Sequence, residues 1–380
     1  MTGPIGGAQP RAPGTVTVAL CGDVMLGRGI DQILPHPGDP RLYEPYVASA
    51  VEYVALAERA NGPIPRPVDF AYVWGDALEV FLSDRLDARI VNLETSITTS
   101  EDHVPKGINY KMHPENVRCL NAAAIDCCVL ANNHVLDWGL AGLFETLNTL
   151  ARAGIRSAGA GRDAAQAQAP AVLNPPGTGR VLVFAFGSVT SGIPTDWAAG
   201  VSRPGVNLLT DFGERTVARI ARQAESARRP GDLLVASIHW GGNWGYAVPR
   251  EQRNFAHALI DRAGFHVVHG HSSHHAKGIE VYKGCPILYG CGDFLTDYEG
   301  ISGYEAFRDD LAVLYLCRFC PSTGRLSALT LVPYQIRNFR LNAISPEDAV
   351  WLRDVLARES ARFGTGLSLE ADATLSVQWG

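Results

Sequence analysis

Residues 125–134 have the sequence IDCCVLANNH, an apolar run that ends directly in two amides and an imidazole. Other apolar runs end in the same way: residues 15–20 lead to Asp23, 89–91 to Asn92 and Glu94, 233–238 to His239, 267–268 to His269 and His271, and 287–289 to Asp293. Short, near-continuous apolar runs are typical of strands in a sheet that is buried on both faces. Such sheets bind ligands at the carboxyl ends of their strands, which is where these polar side chains are expected.

The segments between these runs predict helices. Apolar residues recur with helical spacing in 137–151, 211–228 and 249–264. The last segment begins with a proline, which suits a first helical turn, and stops at a glycine. After residue 310 the pattern changes to that of an antiparallel hairpin, 311–319 and 326–333, which implies a second sheet. The sequence therefore predicts an α/β fold.

The composition is that of an ordinary globular protein, since 46% of the 380 residues are hydrophobic and 19% are charged. The strand pattern continues almost without interruption over residues 15–340, which favours one catalytic domain there. We expect a disordered tail at 1–14, where Gly, Pro and Ala dominate. We expect a helix at 346–363 and then a loose tail, so that residues 341–380 form a C-terminal addition.

Charge and cysteine usage exclude several classes of function. The net charge is −6 and the basic residues are scattered, so we expect no nucleic-acid partner. Neither a signal peptide nor the run of roughly 20 apolar residues that spans a membrane is present, which predicts a cytoplasmic protein without membrane association. The eight cysteines lack regular spacing, and the pair Cys317 and Cys320 has no second pair, so we expect reduced, mostly buried thiols and no zinc there.

The polar residues at the strand ends are those that hold divalent ions. The predicted ligands come from five strand ends and are Asp23, Glu94, Asn133, His239 and His271. Taken singly, such an aspartate is more often a turn cap, and such a histidine is more often a hydrogen-bonded core residue. Five together favour one or two divalent ions, with Mn, Zn, Mg, Ca and Fe left undistinguished. Whether His269, His274 or His275 also binds metal is left open.

Five motifs resemble the CapA family, which is named for poly-γ-glutamate capsule synthesis. They are GDVMLGR at 22–28, NLE at 92–94, ANNHVLDWG at 131–139, HWG at 239–241 and GHSSH at 270–274. The resemblance implies a calcineurin-like metallophosphoesterase fold, a four-layer αββα sandwich around a two-metal centre. Such phosphoesterases usually have a histidine where this chain has Met25, and a Gly-His-x-His motif in place of the spacing found here. These departures favour a single ion or a weak second one.

The resemblance also suggests the acid/base groups. His134 fits the position of the catalytic histidine that follows the metal-binding Asn133, although a structural histidine is the alternative. Glu94 or Asp23 would supply a second acid/base group. His274 is a further candidate, either for catalysis or for orienting a ligand.

Substrate contacts are predicted from charge and aromatic content near the motifs. Arg28 and Lys106 could bind an anionic group, for which a guanidinium is well suited. Solvated charge is the alternative for the lysine. Trp240 and Trp244 belong to a group of aromatic residues near the strand-end loops and could line a pocket for a bulky side chain. Packing in the core is an equal alternative for these rings.

Three functions remain in competition. The first is metal-assisted epimerisation at the Cα of a peptide with a free carboxylate, because soluble CapA-like chains resemble the enzyme that epimerises a lasso-peptide precursor. The second is hydrolysis of a phosphoester or a γ-glutamyl amide, with His134 as the acid. The third is a non-catalytic protein of capsule assembly, since fold alone does not establish function. The sequence favours the first.

Overall fold

The computed structural model describes residues 14–380, so the predicted disordered tail lies outside the described residues except for Gly14. The strands are β1 (Val16–Val24), β2 (Ala88–Leu93), β3 (Ser96–Ile97), β4 (Lys111–Met112), β5 (Cys127–Val129), β6 (Arg156–Ala158), β7 (Ala160–Gly161), β8 (Ala171–Leu173), β9 (Val181–Ser188), β10 (Gly205–Val206), β11 (Leu208–Leu209), β12 (Leu233–His239), β13 (Val267–His271), β14 (Ile279–Tyr282), β15 (Cys285–Leu288), β16 (Asp293–Leu295), β17 (Leu311–Cys320), β18 (Arg325–Arg337), β19 (Arg340–Ala343), β20 (Thr365–Leu369) and β21 (Leu375–Trp379).

The helices are α1 (Arg28–Asp31), α2 (Val51–Asn61), α3 (Leu78–Phe81), α4 (Arg118–Ala122), α5 (Gly139–Arg152), α6 (Ala164–Gln168), α7 (Glu214–Ala227), α8 (Arg250–Ala263) and α9 (Pro346–Ala361). Short 3₁₀ helices lie at Tyr72–Ala77, Pro114–Val117, Val189–Ser191, Thr195–Trp197 and Glu305–Phe307. The predicted helices at 137–151, 211–228 and 249–264 are confirmed as α5, α7 and α8. Gly264 caps α8 in the left-handed conformation at φ 72°, which explains why the helix stops at a glycine.

Two mixed sheets form the centre of the molecule. The first has the order β20-β21-β18-β17-β1-β2-β5-β6, with β16 beside β1 and β19 beside β18. The second has the order β11-β9-β12-β13-β15-β14, with β8 beside β9. Strands β1, β2, β5 and β6 run parallel, as do β9, β12, β13 and β15, so each sheet has a parallel centre whose strand ends point the same way.

The sheets pack face to face and helices cover their outer faces. Val18 and Leu20 of β1 share an apolar cluster with Val235 of β12, whereas Ala19 lies in a different cluster with the helices that cover the first sheet. The alternate face of the second sheet packs against α7 and α8. Because successive strand residues point to opposite faces, this division of the core defines four layers. The predicted αββα sandwich is confirmed.

The predicted hairpin after residue 310 is confirmed as β17 and β18, but its predicted place in a second sheet is wrong. β17 pairs antiparallel with β1, with Val18 opposite Cys317, and therefore extends the first sheet. Residues 181–288 supply most of the second sheet instead. The periodicity of a strand shows which face is buried and does not show which neighbour it pairs with, so the hairpin pattern could not decide this point.

The predicted loose tail after α9 is also wrong. Strands β20 and β21 form a hairpin, and β21 pairs with β18 so that Leu375 lies opposite Leu331. Leu375 is fully buried in the cluster between the sheets, while the alternate residue Gln378 is exposed. The hairpin therefore extends the first sheet. It covers an edge of β18 that would otherwise present unpaired main-chain groups.

No helix within residues 14–380 combines the length and the apolar character needed to cross a membrane. The cytoplasmic location stays a prediction. All eight cysteines lie within the described residues as free thiols, and every one except Cys320 is buried, which confirms the expectation of reduced, buried thiols. Cys317 lies in the core between the sheets, whereas Cys320 is partly exposed at the end of its strand.

Replacing Leu375 by alanine should lower the free energy of unfolding by about 2–5 kcal/mol, because it opens a cavity between the sheets. Gln378→Ala, on the exposed side of the same strand, is the matched control and should change it by less than about 0.5 kcal/mol. Chemical denaturation of both variants measures the difference. Equal, small effects in both variants would contradict the packing of the hairpin as part of the first sheet.

Candidate metal centre

The predicted ligands meet where the strand ends of the two sheets converge. Asp23 lies near the end of β1 and Glu94 directly follows β2. His239 and His271 are the last residues of β12 and β13 and lie opposite each other in register. The register of β1 with β2 shifts between Leu20 and Asp23, an irregularity of the kind that re-aims a side chain.

A glycine allows the close approach that places Asp23. A side chain at Gly22 would put its Cβ 1.6 Å from the carbonyl oxygen of Gly292, so no other residue fits there without movement of the main chain. The next amide, that of Asp23, donates to the same carbonyl oxygen at 3.0 Å. The start of the GDVMLGR motif therefore holds the end of β1 against the segment that leads to β16.

The five predicted ligands come together around the ring of His239. On one side, its Nδ1 lies 2.9 Å from His271 Nδ1, which is itself 3.7 Å from Asp23 Oδ1. On the other side, its Nε2 lies 3.1 Å from Asn133 Oδ1 and 3.8 Å from Glu94 Oε1. Ligand atoms of Asp23, His239 and His271 all lie within 4.8 Å of one another. A neutral imidazole has one lone pair, so His239 can join only one of these two groups at a time.

The residues present fit a divalent cation. Glu94 Oε2 is buried without a hydrogen-bond partner among the described residues, which leaves a polar oxygen free to bind a ligand. Burial, with Asp293 nearby, raises the pKa of Asp23 to about 6 even though hydrogen bonds from Glu94 and Asn92 oppose the shift. Burial and the neighbouring Asp23 raise the pKa of Glu94 well above its ordinary value. A cation would offset these unfavourable terms, and the mixture of oxygen and nitrogen ligands suits a borderline ion.

Asn92 and Asn132, for which the sequence predicts no role, orient the carboxylate of Asp23. Asn92 donates from Nδ2 to Asp23 Oδ1 at 2.7 Å. Asn132 in turn donates to Asn92 Oδ1 at 3.0 Å and accepts from the amide of His134 at 3.1 Å. Both asparagines are within the quoted motifs, but only their contacts show that they hold neighbouring site residues in place.

His134 forms a dyad with Asp137, another residue whose role the sequence did not predict. His134 Nδ1 lies 2.7 Å from Asp137 Oδ2, which also accepts from the amide of Tyr110 at 2.7 Å. The carboxylate therefore holds the ring with Nδ1 protonated and Nε2 facing Glu94 Oε1 at 3.8 Å. Burial lowers the pKa of His134 to about 4 in spite of Asp137, so Nε2 carries a lone pair at neutral pH.

Lys106 is near the site but differs from its predicted role in substrate binding. Its amine forms an ion pair with Asp137 Oδ1 at 2.7 Å, hydrogen-bonds the main-chain oxygen of Asn133 and lies 3.3 Å from His134 Nδ1. The lysine thus compensates the charge of the buried Asp137. That role leaves its charge engaged within the protein.

His274 contacts Asp293. The sequence predicts Asp293 at a strand end but assigns it no role. Its Nδ1 lies 2.9 and 3.1 Å from the two carboxylate oxygens of Asp293, and β16 brings Asp293 beside Asp23. Burial lowers the pKa of His274, but the charge and hydrogen bond of Asp293 outweigh burial and raise it overall. The pair gives the site an acidic group and a basic group next to the candidate ligands.

Arg28 is buried and fully engaged, so the predicted binding of a substrate carboxylate is not what the structure shows. Its Nε and Nη2 both bond Asp297, and its Nη1 bonds Glu44 at 2.8 Å and the Tyr53 hydroxyl at 2.9 Å. The guanidinium also lies 4.6 Å from the ring centre of Tyr110. Arg28 therefore links residues of the protein interior to one another.

The two predicted tryptophans have different positions. Trp240 is buried, donates to the Tyr289 main-chain oxygen at 3.0 Å and packs among Phe212 and Phe255, so its predicted place in a pocket is wrong. Trp244 is half-buried and stacks on Tyr304 with ring centres 3.9 Å apart. Its ring also lies beside His274, so its contribution to a substrate pocket stays a prediction.

The four-layer fold and the ligands at its strand ends define this chain as a candidate metal-binding protein of the αββα class. Residues 17–298 match the family model described as "Bacterial capsule synthesis protein PGA_cap". The chain belongs to this family. The CapA-like recognition made from the motifs is therefore confirmed, whereas the resemblance to the lasso-peptide epimerase is not shown.

Individual relatives agree with this assignment. The chain is 48% identical over 367 residues to a "Probable polyglutamine synthesis accessory protein" of Mycobacterium tuberculosis, covering 96% of each chain. It is 26% identical over 302 residues to "PGA biosynthesis protein CapA" of Bacillus subtilis, covering 79% of this chain and 67% of the relative. A phosphatase structure from Mycoplasma pneumoniae aligns over 88% of this chain and 95% of its own, with a TM-score of 0.48 at 9% identity, a likeness too distant to bear on activity.

We expect Asp23→Ala, Glu94→Ala, His239→Ala and His271→Ala each to reduce the metal content of protein loaded with Mn²⁺ or Zn²⁺, because each removes one candidate ligand. Elemental analysis after gel filtration measures the loss. His36→Ala, a change at an exposed histidine, is the control and should keep the wild-type content. Wild-type protein that takes up no metal would remove the basis for the site.

Proposed function

We propose that this protein is a divalent-metal-dependent hydrolase that cleaves an amide bond of a γ-linked glutamyl polymer. The family description and the names of the relatives support a link to the synthesis of a glutamyl polymer. The observation that carries the reaction type is the position of His134. Its unprotonated Nε2 lies 3.8 Å from Glu94 Oε1, and His239 Nε2 lies at the same distance from that oxygen.

This geometry sets a proton acceptor directly beside the candidate metal ligands. A bound divalent ion would polarise the scissile carbonyl group and make water more acidic. His134 Nε2 takes a proton from the attacking water, whose oxygen forms the new bond to the carbonyl carbon. His134 then returns that proton to the amide nitrogen as the carbon–nitrogen bond breaks.

The neighbouring residues keep His134 ready for this transfer. Asp137 accepts from Nδ1 at 2.7 Å and stabilises the imidazolium that forms when Nε2 takes a proton. Lys106 limits the negative charge of Asp137, and it carries a positive charge close to the ring. The side chains of His134 and His274 are 10% and 11% exposed, so part of each ring is open to solvent.

Epimerisation, which the sequence favoured, fits this geometry less well. It needs two acid/base groups on opposite faces of a substrate Cα, and the sequence predicts His134 with either Glu94 or Asp23. The closest atoms of His134 and Glu94 are 3.8 Å apart, so a Cα cannot fit between that pair. The names of the relatives concern polymer synthesis and do not mention peptide epimerisation.

Incubating the Mn²⁺- or Zn²⁺-loaded protein with a synthetic γ-glutamyl oligomer should release new amino groups, detectable by amine labelling and mass spectrometry. Two parallel reactions test the same metal-loaded protein, one with p-nitrophenyl phosphate and one with a free-acid peptide in D₂O. Phosphate release without amine release would replace the proposal with phosphoester hydrolysis. Deuterium at Cα would restore epimerisation, and silence from metal-loaded protein would favour a non-catalytic role in polymer assembly.

His134→Gln and Asp137→Asn should each lower kcat by about 100-fold or more while leaving metal content unchanged, because they remove the proton acceptor or the group that orients it. Steady-state kinetics on the γ-glutamyl oligomer, with elemental analysis of the same samples, separates chemistry from metal binding. His36→Gln is the control. Near-normal turnover in His134→Gln would assign the proton transfer to another group.

A further inference from the structure

A chain of hydrogen bonds connects the main chain of β1 to one predicted ligand, His271. The carbonyl oxygen of Cys21 lies 2.7 Å from His269 Nε2. Ser237 Oγ lies 3.0 Å from His269 Nδ1 and 2.9 Å from His271 Nε2. His269, Ser237 and His271 are all at most 1% exposed, so water does not compete for these contacts.

The strand register brings these residues together. Ser237 and His239 are two apart on β12, and His269 and His271 are two apart on β13, so each pair points to one face of its strand. The parallel register sets Ser237 beside His269 and His239 beside His271. This face of the second sheet meets the end of β1, where the carbonyl group of Cys21 lies.

The direction of the hydrogen bonds follows from the first contact. A carbonyl oxygen can only accept, so His269 Nε2 carries a proton and donates. His269 is buried and contacts no carboxylate among the described residues, so its ring is neutral, because a buried charge without a partner is costly. Its Nδ1 then accepts the Ser237 hydroxyl hydrogen. The serine oxygen is left to accept from His271 Nε2.

This order of bonds leaves the lone pair of His271 on Nδ1. That atom is the one 2.9 Å from His239 Nδ1 and 3.7 Å from Asp23 Oδ1. We infer that Ser237 and His269 are positioning residues that hold His271 in its Nε2-protonated tautomer and so present Nδ1 as the metal-binding atom. The inference rests on the metal dependence in the proposed function. It also answers whether His269 binds metal: both of its ring nitrogens are already engaged by Cys21 and Ser237.

Histidine ligands in metal sites generally donate their other N–H to a fixed acceptor, which sets the ring and its tautomer. Here the acceptor is a hydroxyl group, which could rotate and donate instead. His269 removes that freedom by accepting the hydroxyl hydrogen. Without His269, Ser237 could turn its hydrogen toward His271 Nε2 and favour the tautomer that protonates Nδ1, which cannot bind a cation.

Nitrogen-15 NMR of metal-free wild-type protein tests the tautomer directly. Two-bond correlations of labelled histidines distinguish protonated from unprotonated ring nitrogens, and the His271→Gln spectrum assigns the signals that disappear. We expect His271 to be protonated on Nε2 and bare on Nδ1. A His271 ring protonated on Nδ1 in the metal-free protein overturns the inference.

Metal affinity tests the positioning role. Ser237→Ala should weaken Zn²⁺ binding by about 10- to 100-fold in a chelator competition titration, as expected when a partner of a ligand is lost. Ser191→Ala is the matched control, because the hydroxyl of Ser191 is also buried beside His239 but donates only to main-chain oxygens of Ser188 and His239. It should bind Zn²⁺ nearly as wild type does. Equal affinities of the two variants overturn the inference.

Thermal unfolding of both variants checks that they fold, and if Ser237→Ala does not, the wild-type NMR tautomer alone decides. The tests separate this inference from the proposed hydrolase, because neither measures turnover. A protein with the expected tautomer and affinities that cleaves no γ-glutamyl oligomer refutes only the hydrolase. Cleavage by a protein whose His271 is protonated on Nδ1 refutes only the positioning role.

Discussion

Two carboxylates, those of Asp23 and Glu94, are buried next to each other where the sheets meet, and neither forms an ion pair with a lysine or arginine among residues 14–380. Burying a charge without compensation costs several kcal/mol, so burial favours protonation of these groups and raises their pKa, and a bound cation would offset that cost. The surrounding amides and imidazoles supply hydrogen bonds and lone pairs but no fixed positive charge. A divalent ion between these groups would account for the positions of the other site residues.

The site exists only when the two sheets are packed together. The first sheet supplies the carboxylates and the dyad of His134 with Asp137, and the second supplies the imidazoles of His239 and His271. A ligand that binds the folded state alone stabilises it, so metal binding and the packing of the sheets must be linked. The hydrogen bond from the side chain of His269 to the main-chain oxygen of Cys21 is one such link, since it joins the sheets at the site itself.

Met25 lies at a position where the motif departs from that of the resembled two-metal phosphoesterases. It is buried where the resembled phosphoesterases carry a histidine, and its sulfur lies 3.6 Å from the Tyr298 hydroxyl. Tyr298 bonds Tyr110, whose ring lies 4.2 Å from that of His134. The thioether at this position therefore packs against aromatic residues that neighbour the dyad.

Sequence alone determined the strands and helices with a clear apolar period and the kinds of side chain at the strand ends, because burial periodicity and ligand chemistry are local properties. It also identified His134 through its motif. Only the tertiary structure decided that β17 extends the first sheet, that Leu375 belongs to it, and that Arg28 is paired internally. The roles of Asp137 and Ser237 could not be predicted from the sequence either. Each role depends on a partner whose position is set by strand pairing or chain folding. The local sequence pattern indicates which residues are buried. Only the folded structure determines which groups those residues contact.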